Sequence, residues 1–169
     1  FLNPRRTPPE DVLDDFFFDQ SYRNIMGASR DGKGQVVNLD ARRKIAELSL
    51  PGMPHLGSGI TWLWQGRTVM ASTNLKESAV TVIDLSNWQT VKTIPTRGPG
   101  FFLRSHENSR YAFVDSMMSR EARDTLQVID KDTLIVVKEL RPVPGKTLAH
   151  VEFTRDGRYA LASLLENDG

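Results

Sequence analysis

Three short sequence patterns recur in a fixed order along this chain, and that recurrence restricts the fold more than any single motif does. RNIMGAS from Arg23, RTVMAS from Arg67, RYAFVD from Arg110 and RYALAS from Arg158 form the first series, with starts 44, 43 and 48 residues apart. A second series follows the first three of these: QVVNLDARRKIAELSL, AVTVIDLSNWQTVKTI and LQVIDKDTLIVVKEL. Its aspartates Asp40, Asp84 and Asp130 lie 44 and 46 residues apart. A third series, ITWLWQGR, FFLRSHENSR and HVEFTRDGR, precedes the later members of the first.

Each unit reads as four short strands. The segments are rich in Val, Ile, Thr and aromatics, and many alternate apolar with polar residues, as in Ala79-Val80-Thr81-Val82-Ile83. Polar turns at Arg155-Asp156-Gly157, Glu107-Asn108-Ser109, Ser86-Asn87 and Lys131-Asp132 punctuate them. Four strands in a repeat of about 40–50 residues is the pattern of β-propeller blades. A parallel βαβ fold needs amphipathic helices between strands, and only Ser119 to Asp124 has the makings of a helical turn. The expected fold is therefore all-β, a propeller of about four four-stranded blades. Residues 1–15, Pro-rich and charged, read as an extended arm. Blades are expected at about 16–52, 53–97, 98–145 and, incomplete, 146–169.

Four blades leave two sheet faces open to water. The chain is then half of an eight-bladed ring, closed either by the rest of a longer polypeptide or by a second copy. A start at Phe1, without Met, reads as trimmed or internal.

Composition bounds the function classes. A net charge of +1 argues against nucleic-acid binding driven by a basic field. No apolar stretch approaches the roughly 18 residues a membrane span needs. Without cysteine, disulfides, thiolate metal sites and covalently attached c-type haem are excluded within this segment.

In propellers, ligands meet the face where loops enter the innermost strands. Two entry loops stand out: residues 51–59, Pro-Gly-Met-Pro-His-Leu-Gly-Ser-Gly, and residues 97–102, Arg-Gly-Pro-Gly-Phe-Phe. Glycines such as Gly57, Gly59, Gly98 and Gly100 let a flat ligand approach the backbone, or simply form turns. His55 and His150 precede inner strands, whereas His106 lies in the turn after one, towards the opposite face. That placement argues against a metal site of His55, His106 and His150, and His106 is read as structural. His55 is either a loop histidine bonded to backbone or a proton donor. Met117 and Met118 read as packing residues, and Trp62 and Trp64, two apart, as sharing one sheet face. Asp14, Asp15 and Asp19 are acidic loop residues, and Arg42-Arg43-Lys44 a solvated turn. No phosphate loop or nucleophile elbow is present.

Several segments resemble the d1-haem propeller of the cytochrome cd1 nitrite reductase family and its maturation paralogues. PHLGSG at 54–59 is similar to that family's PHPGRG loop. SHENSRYAFVD at 105–115 is similar to THPNSQYLYVD, FDQSYRNIMGAS at 18–29 to FDASHRYFMVAAN, and VEFTRDG at 151–157 to GEFNKDG. GPGFFLRSHEN at 98–108 is close to a paralogue involved in d1-haem maturation.

The resemblance implies an eight-bladed propeller that holds haem d1 non-covalently, and reduction of nitrite to NO by the intact protein with two distal histidines as proton donors. His55 matches one of these, with Gly57, Ser58, Gly59, Gly98, Gly100 and His150 as cofactor-binding candidates. Counting back without gaps from Phe18 puts Asp14 where the other histidine stands, and a short shift puts Asp15 there. Ser58 replaces the family loop's Arg. The proximal iron ligand and any c-haem domain fall outside this chain. The expected partners are haem d1 or a precursor, nitrite, and the remaining half of the propeller. The family's location is the periplasm. Two other readings stand beside the reductase: a paralogue that binds or oxidises a d1 precursor, and a non-enzymatic propeller for protein binding.

Overall fold

The computed structural model describes residues 12–165, and every regular element among them is a strand. β1 (Asp15–Phe18), β2 (Asn24–Ala28), β3 (Lys33–Asn38) and β4 (Arg43–Ser49) form an antiparallel meander. β5 (Pro54–Trp64), β6 (Arg67–Asn74), β7 (Ala79–Asp84) and β8 (Gln89–Pro95) form the second, and β9 (Leu103–Ser105), β10 (Tyr111–Asp115), β11 (Leu126–Asp130) and β12 (Ile135–Leu140) the third. β13 (Thr147–Phe153) pairs with β14 (Ala160–Leu165) in a two-stranded sheet. The stretch from Ser119 to Asp124 is a turn, not a helix. Most of the expected N-terminal arm lies outside the described residues.

The first strands β1, β5, β9 and β13 pack side by side, which makes them the inner strands of successive blades. Strand alternation then divides each blade between its two neighbours. Val69 and Ala71 on β6 and Val80 and Val82 on β7 face β9–β11, where they meet Leu103, Ala112, Val114 and Ile129. The intervening Met70 and Ile83 face the other way, onto Met26, Val36, Leu48 and Leu56. A smaller cluster of Leu126, Leu148 and Val151, with Phe113 and Phe153, joins the third blade to the fourth. The end faces lack such partners among the described residues. Phe16, Phe18 and Tyr22 are exposed at one, and Leu161, Leu164 and Leu165 at the other.

The repeated Arg and Asp have a shared structural cause. Each Arg opens the second strand of a blade and each Asp ends the third, so antiparallel pairing sets them together. Arg67 bonds Asp84 at 3.0 Å, and Arg110 bonds Asp130 at 2.7 Å. The same carboxylates cap the tight turn into the fourth strand by accepting Ser86 N–H, or Asp132 and Thr133 N–H. In the first blade the register corrects the sequence alignment. Asn38, not Asp40, pairs with Asn24 and accepts Ala41 N–H, while Asp40 is a mostly exposed carboxylate 3.5 Å from Arg23. Asn38, Asp84 and Asp130 are evenly spaced at 46 residues. The turns they cap each place a residue at positive φ, namely Arg42, Trp88 and Leu134.

Inter-blade stitching explains further residues. Trp62 and Trp64 point the same way, and their indole N–H groups donate to the Lys131 and Asp132 carbonyls. His106 ties the third blade to the fourth: Nε2–H donates to Arg155 O at 3.2 Å, and Nδ1 accepts Asn108 N–H at 3.1 Å. Gly157 has φ +71°, and a Cβ there would sit 2.4 Å from His106 Nδ1. His106→Ala is expected to destabilise the protein by about 1–2 kcal/mol, read by urea denaturation, with ligand binding unchanged.

The crossing into the fourth blade depends on Asp124. It accepts two bonds from the Arg141 guanidinium, at 2.6 and 3.1 Å, and one from Gly145 N–H at 2.7 Å. Arg141 above all, then the Gly145 N–H, holds this carboxyl down at about 2. The unfolded carboxyl titrates at about 3.9, so the folded chain binds this proton less readily than the unfolded one. Its stabilising contribution is complete above about pH 4 and disappears as the pH falls towards 2. Urea midpoints of wild type and Asp124→Asn are expected to differ at pH 6 and to converge near pH 2.

Candidate functional site

The entry to β5 is the most irregular pairing in the structure. Pro54 and His55 pair with Asn74 and Thr73, and pairing resumes with Ile60 opposite Ala71. Residues 56–59 thus stand opposite Ser72 alone, as a wide bulge. Leu56 is buried in the core between the first two blades, which anchors the bulge from within. On its open side, Asp15 of β1 accepts Gly57 N–H at 3.0 Å.

His55 leaves this bulge half-buried, held by one strong bond. Its Nδ1 lies 2.7 Å from Phe101 O. A carbonyl oxygen only accepts, so Nδ1 carries the proton and neutral His55 keeps Nε2 as an open lone pair. Nε2 has no partner among the described residues. Phe101 O also accepts the Ser58 hydroxyl at 2.7 Å and the Thr73 hydroxyl at 3.2 Å.

From His55 a row of rings crosses the inner strands. His55 packs on Phe101 with centroids 4.1 Å apart, Phe101 on Phe102 at 4.8 Å, and Phe102 on His150 at 4.8 Å. All four rings are partly exposed. His150 owes its direction to a bulge in β13 between Ala149 and Val151, where it adopts φ +52°. A non-glycine residue in that conformation is held there by its surroundings. Its Nε2 meets Glu152 at 3.0 Å, and Glu152 also pairs with Arg104, which reaches back to Ser58 O.

Beneath the row lies Asp115, fully buried at the end of β10. It accepts the N–H groups of Phe101 at 2.9 Å, Phe102 at 2.8 Å and Met117 at 3.1 Å. Burial raises its pKa, against the lowering effect of those donors and of nearby His55. Asn74, at the end of β6, plays the corresponding part by holding Met53 N–H and the loop before β5.

Several expected site residues take other roles. Asp14 lies against Arg30, which approaches it at 2.7 Å and also donates from Nε and the backbone. Arg30 lowers the Asp14 pKa, so Asp14 stays ionised near neutral pH and cannot act as a proton donor. Three of the glycines are closely packed by protein atoms. A Cβ on Gly59 would meet Met70 at 2.7 Å, one on Gly98 would meet Ser119 at 2.4 Å, and one on Gly100 would meet Asp115 O at 2.5 Å. Gly57 is exposed, with Asp15 Oδ1 3.3 Å from its would-be Cβ. Ser58 is buried, and its hydroxyl serves Phe101 O instead of facing outward. Of the expected side chains, those of His55 and His150 lie along the partly exposed row of rings. Asp115, Arg104 and Glu152 were not singled out by sequence, and Asp15, considered there as a stand-in for a histidine, holds Gly57 N–H instead. The signal for Asp115 was a polar residue ending the second strand of its blade, shared with Asn74.

A half-exposed row of flat rings with an unengaged imidazole nitrogen fits a planar conjugated ligand bearing a reacting edge. No group of three or more His, Cys, Asp or Glu suited to a metal ion exists among the described residues.

Comparisons with known proteins place the chain in a family. Dihydro-heme d1 dehydrogenase of Pseudomonas aeruginosa is 49% identical over 167 residues, 98% of this chain and 34% of that protein. Protein NirF of the same organism is 30% identical over 89 residues, 53% of this chain and 22% of that protein. The chain thus spans about a third or less of the curated relatives it matches. The solved structure of dihydro-heme d1 dehydrogenase NirN in complex with DHE superposes with a TM-score of 0.88 at 50% identity, covering 92% of this chain and 33% of that one. The β-propeller domain of Cps50 (Swd1) from Myceliophteria thermophila, at 14% identity and a TM-score of 0.68, shares the fold over 93% of this chain and 50% of its own. The chain is accordingly an arc of a larger β-propeller. The model of the cytochrome D1 heme domain matches residues 2–169, and the chain belongs to that family.

Proposed function

We propose that the protein carrying this chain binds a d1-type haem precursor and oxidises it, as a member of the maturation branch and not as a nitrite reductase. The observation that carries this reading is the 49% identity, over nearly the whole chain, to a dihydro-heme d1 dehydrogenase. The state of Asp14 agrees. Nitrite reduction in the manner of the wider family calls for a second proton donor opposite His55, and a carboxylate ion-paired with Arg30 would repel an anion instead.

A dehydrogenation of a dihydro compound removes two electrons and two protons. A d1-type precursor, when bound, would supply the conjugated system that gives up the two electrons, one to each of two equivalents of a one-electron acceptor outside this chain. This chain supplies the proton acceptor. His55 Nε2 takes up one proton while Nδ1–H stays bonded to Phe101 O, so the ring gains charge without turning, and the second proton passes to solvent at the exposed edge of the row. Phe101 and Phe102 give the ligand an apolar edge, and His150 marks the far end of the row.

The test is an absorption time course of the intact protein mixed with the dihydro precursor and a one-electron acceptor, with a parallel nitrite assay. Conversion of the precursor spectrum without NO production supports the reading, and NO production with no conversion of the precursor overturns it. A second reading is a carrier that binds the precursor without turnover, since the row of rings can hold a flat ligand whether or not His55 takes up a proton. Tight binding with an unchanged precursor spectrum would select it.

A further inference from the structure

The peptide group between Phe101 and Phe102 has an ionisable side chain on each of its polar atoms. Its N–H, that of Phe102, donates to Asp115 Oδ2 at 2.8 Å. Its oxygen, that of Phe101, accepts Nδ1–H of His55 at 2.7 Å. Asp115 is fully buried, and a second donor, Phe101 N–H, fixes its other oxygen. We propose that Asp115 acts on His55 through this peptide group, a carboxylate–peptide–imidazole relay that fixes the Nδ1–H tautomer and raises the proton affinity of Nε2.

The physical basis is amide resonance. A carboxylate drawing on the N–H moves electron density towards the carbonyl oxygen, and hydrogen bonds in such a chain strengthen one another at low local dielectric. A stronger acceptor at Nδ1–H favours imidazolium over imidazole, as a second-sphere carboxylate does for a working histidine. Burial makes Asp115 harder to ionise, and the three N–H donors together with the His55 charge oppose this. Two hydroxyls, of Ser58 and Thr73, compete for the same oxygen and moderate the effect.

The other charged groups around His55 are engaged elsewhere. Asp15 on β1 holds Gly57 N–H. Arg104 on β9 donates to Ser58 O and pairs with Glu152. His150 on β13 stands beyond Phe102 and also pairs with Glu152. Asp115 is thus a positioning residue, acting on whatever His55 does. The relay rests on the proposed function only for its relevance to turnover.

The test is histidine 15N NMR of the intact, ligand-free protein, with the His55 signal assigned by His55→Gln. In wild type, neutral His55 is expected as the Nδ1–H tautomer. Asp115→Asn is expected to lower its titration midpoint by about one pH unit, roughly tenfold in proton affinity. An Nε2–H tautomer in wild type, or a midpoint unmoved or raised in Asp115→Asn, overturns the relay. Where Asp115→Asn does not fold, Ser58→Ala decides. Freeing the shared oxygen of one donor is expected to raise the His55 midpoint, and no rise overturns the proposal. These readings need no ligand, so they fail or succeed separately from the precursor assay.

Discussion

Replacing His55 by alanine is expected to slow precursor oxidation by about a hundred- to ten-thousand-fold while leaving precursor binding within a few-fold of wild type. The asymmetry follows from the site. His55 is one of four rings in the row, so its removal leaves Phe101, Phe102 and His150 to hold a flat ligand. It is also the ring whose unengaged nitrogen sits beside a bond that keeps it from turning. The check pairs single-turnover spectroscopy with a binding titration of the same variant. Equal loss of binding and turnover would make His55 a packing residue, and unchanged turnover would remove it from the mechanism.

The largest expected effect on stability comes from Leu103→Ala, about 2–5 kcal/mol. Leu103 is fully buried on the three-residue inner strand β9. It packs among Val69, Ala71, Val80, Val82 and Ile94 of the second blade and Ala112, Val114 and Ile129 of its own. Strands on two blades frame the space it leaves, and neither sheet can collapse into it without breaking its ladder. β9 follows directly on the loop that presents the Phe101 carbonyl, so loosened packing there also reaches the site. Equilibrium urea unfolding of the intact protein measures the cost. A loss under about 1 kcal/mol would mean that the two blades do not share this core.

Much of the fold was legible in the sequence because a propeller repeats one local solution. Period-2 alternation in Ala79–Ile83, the turn residues, and the recurring Arg and Asp each report local geometry, and each recurs wherever that geometry does. The exception, Asp40, is instructive. Sequence spacing favoured the aspartate, but the strand register assigned the capping role to Asn38, because a turn needs an acceptor oxygen at a set position rather than a charge. His106 was assignable to the face opposite His55 for the same local reason.

The site was legible only in outline. The loop holding His55 announced itself by its Pro and Gly content and by its family resemblance. What its residues do was decided by contacts across strands and, for Ser58, between blades. Asp14 is neutralised by Arg30, 16 residues away, and the Ser58 hydroxyl turns inward to a carbonyl 43 residues on. The glycines at 59, 98 and 100 are demanded by Met70, Ser119 and Asp115. Asp115 and His55 meet on the two sides of one peptide group. Sequence alone determined the all-β class, the blade repeat and the prominence of His55, since these follow from short-range periodicity and turn chemistry. Tertiary structure alone decided which charges are paired, which hydroxyls face inward and which ring nitrogen stays open, because the partners lie on other strands of the same blade or on the next blade, well separated in the chain.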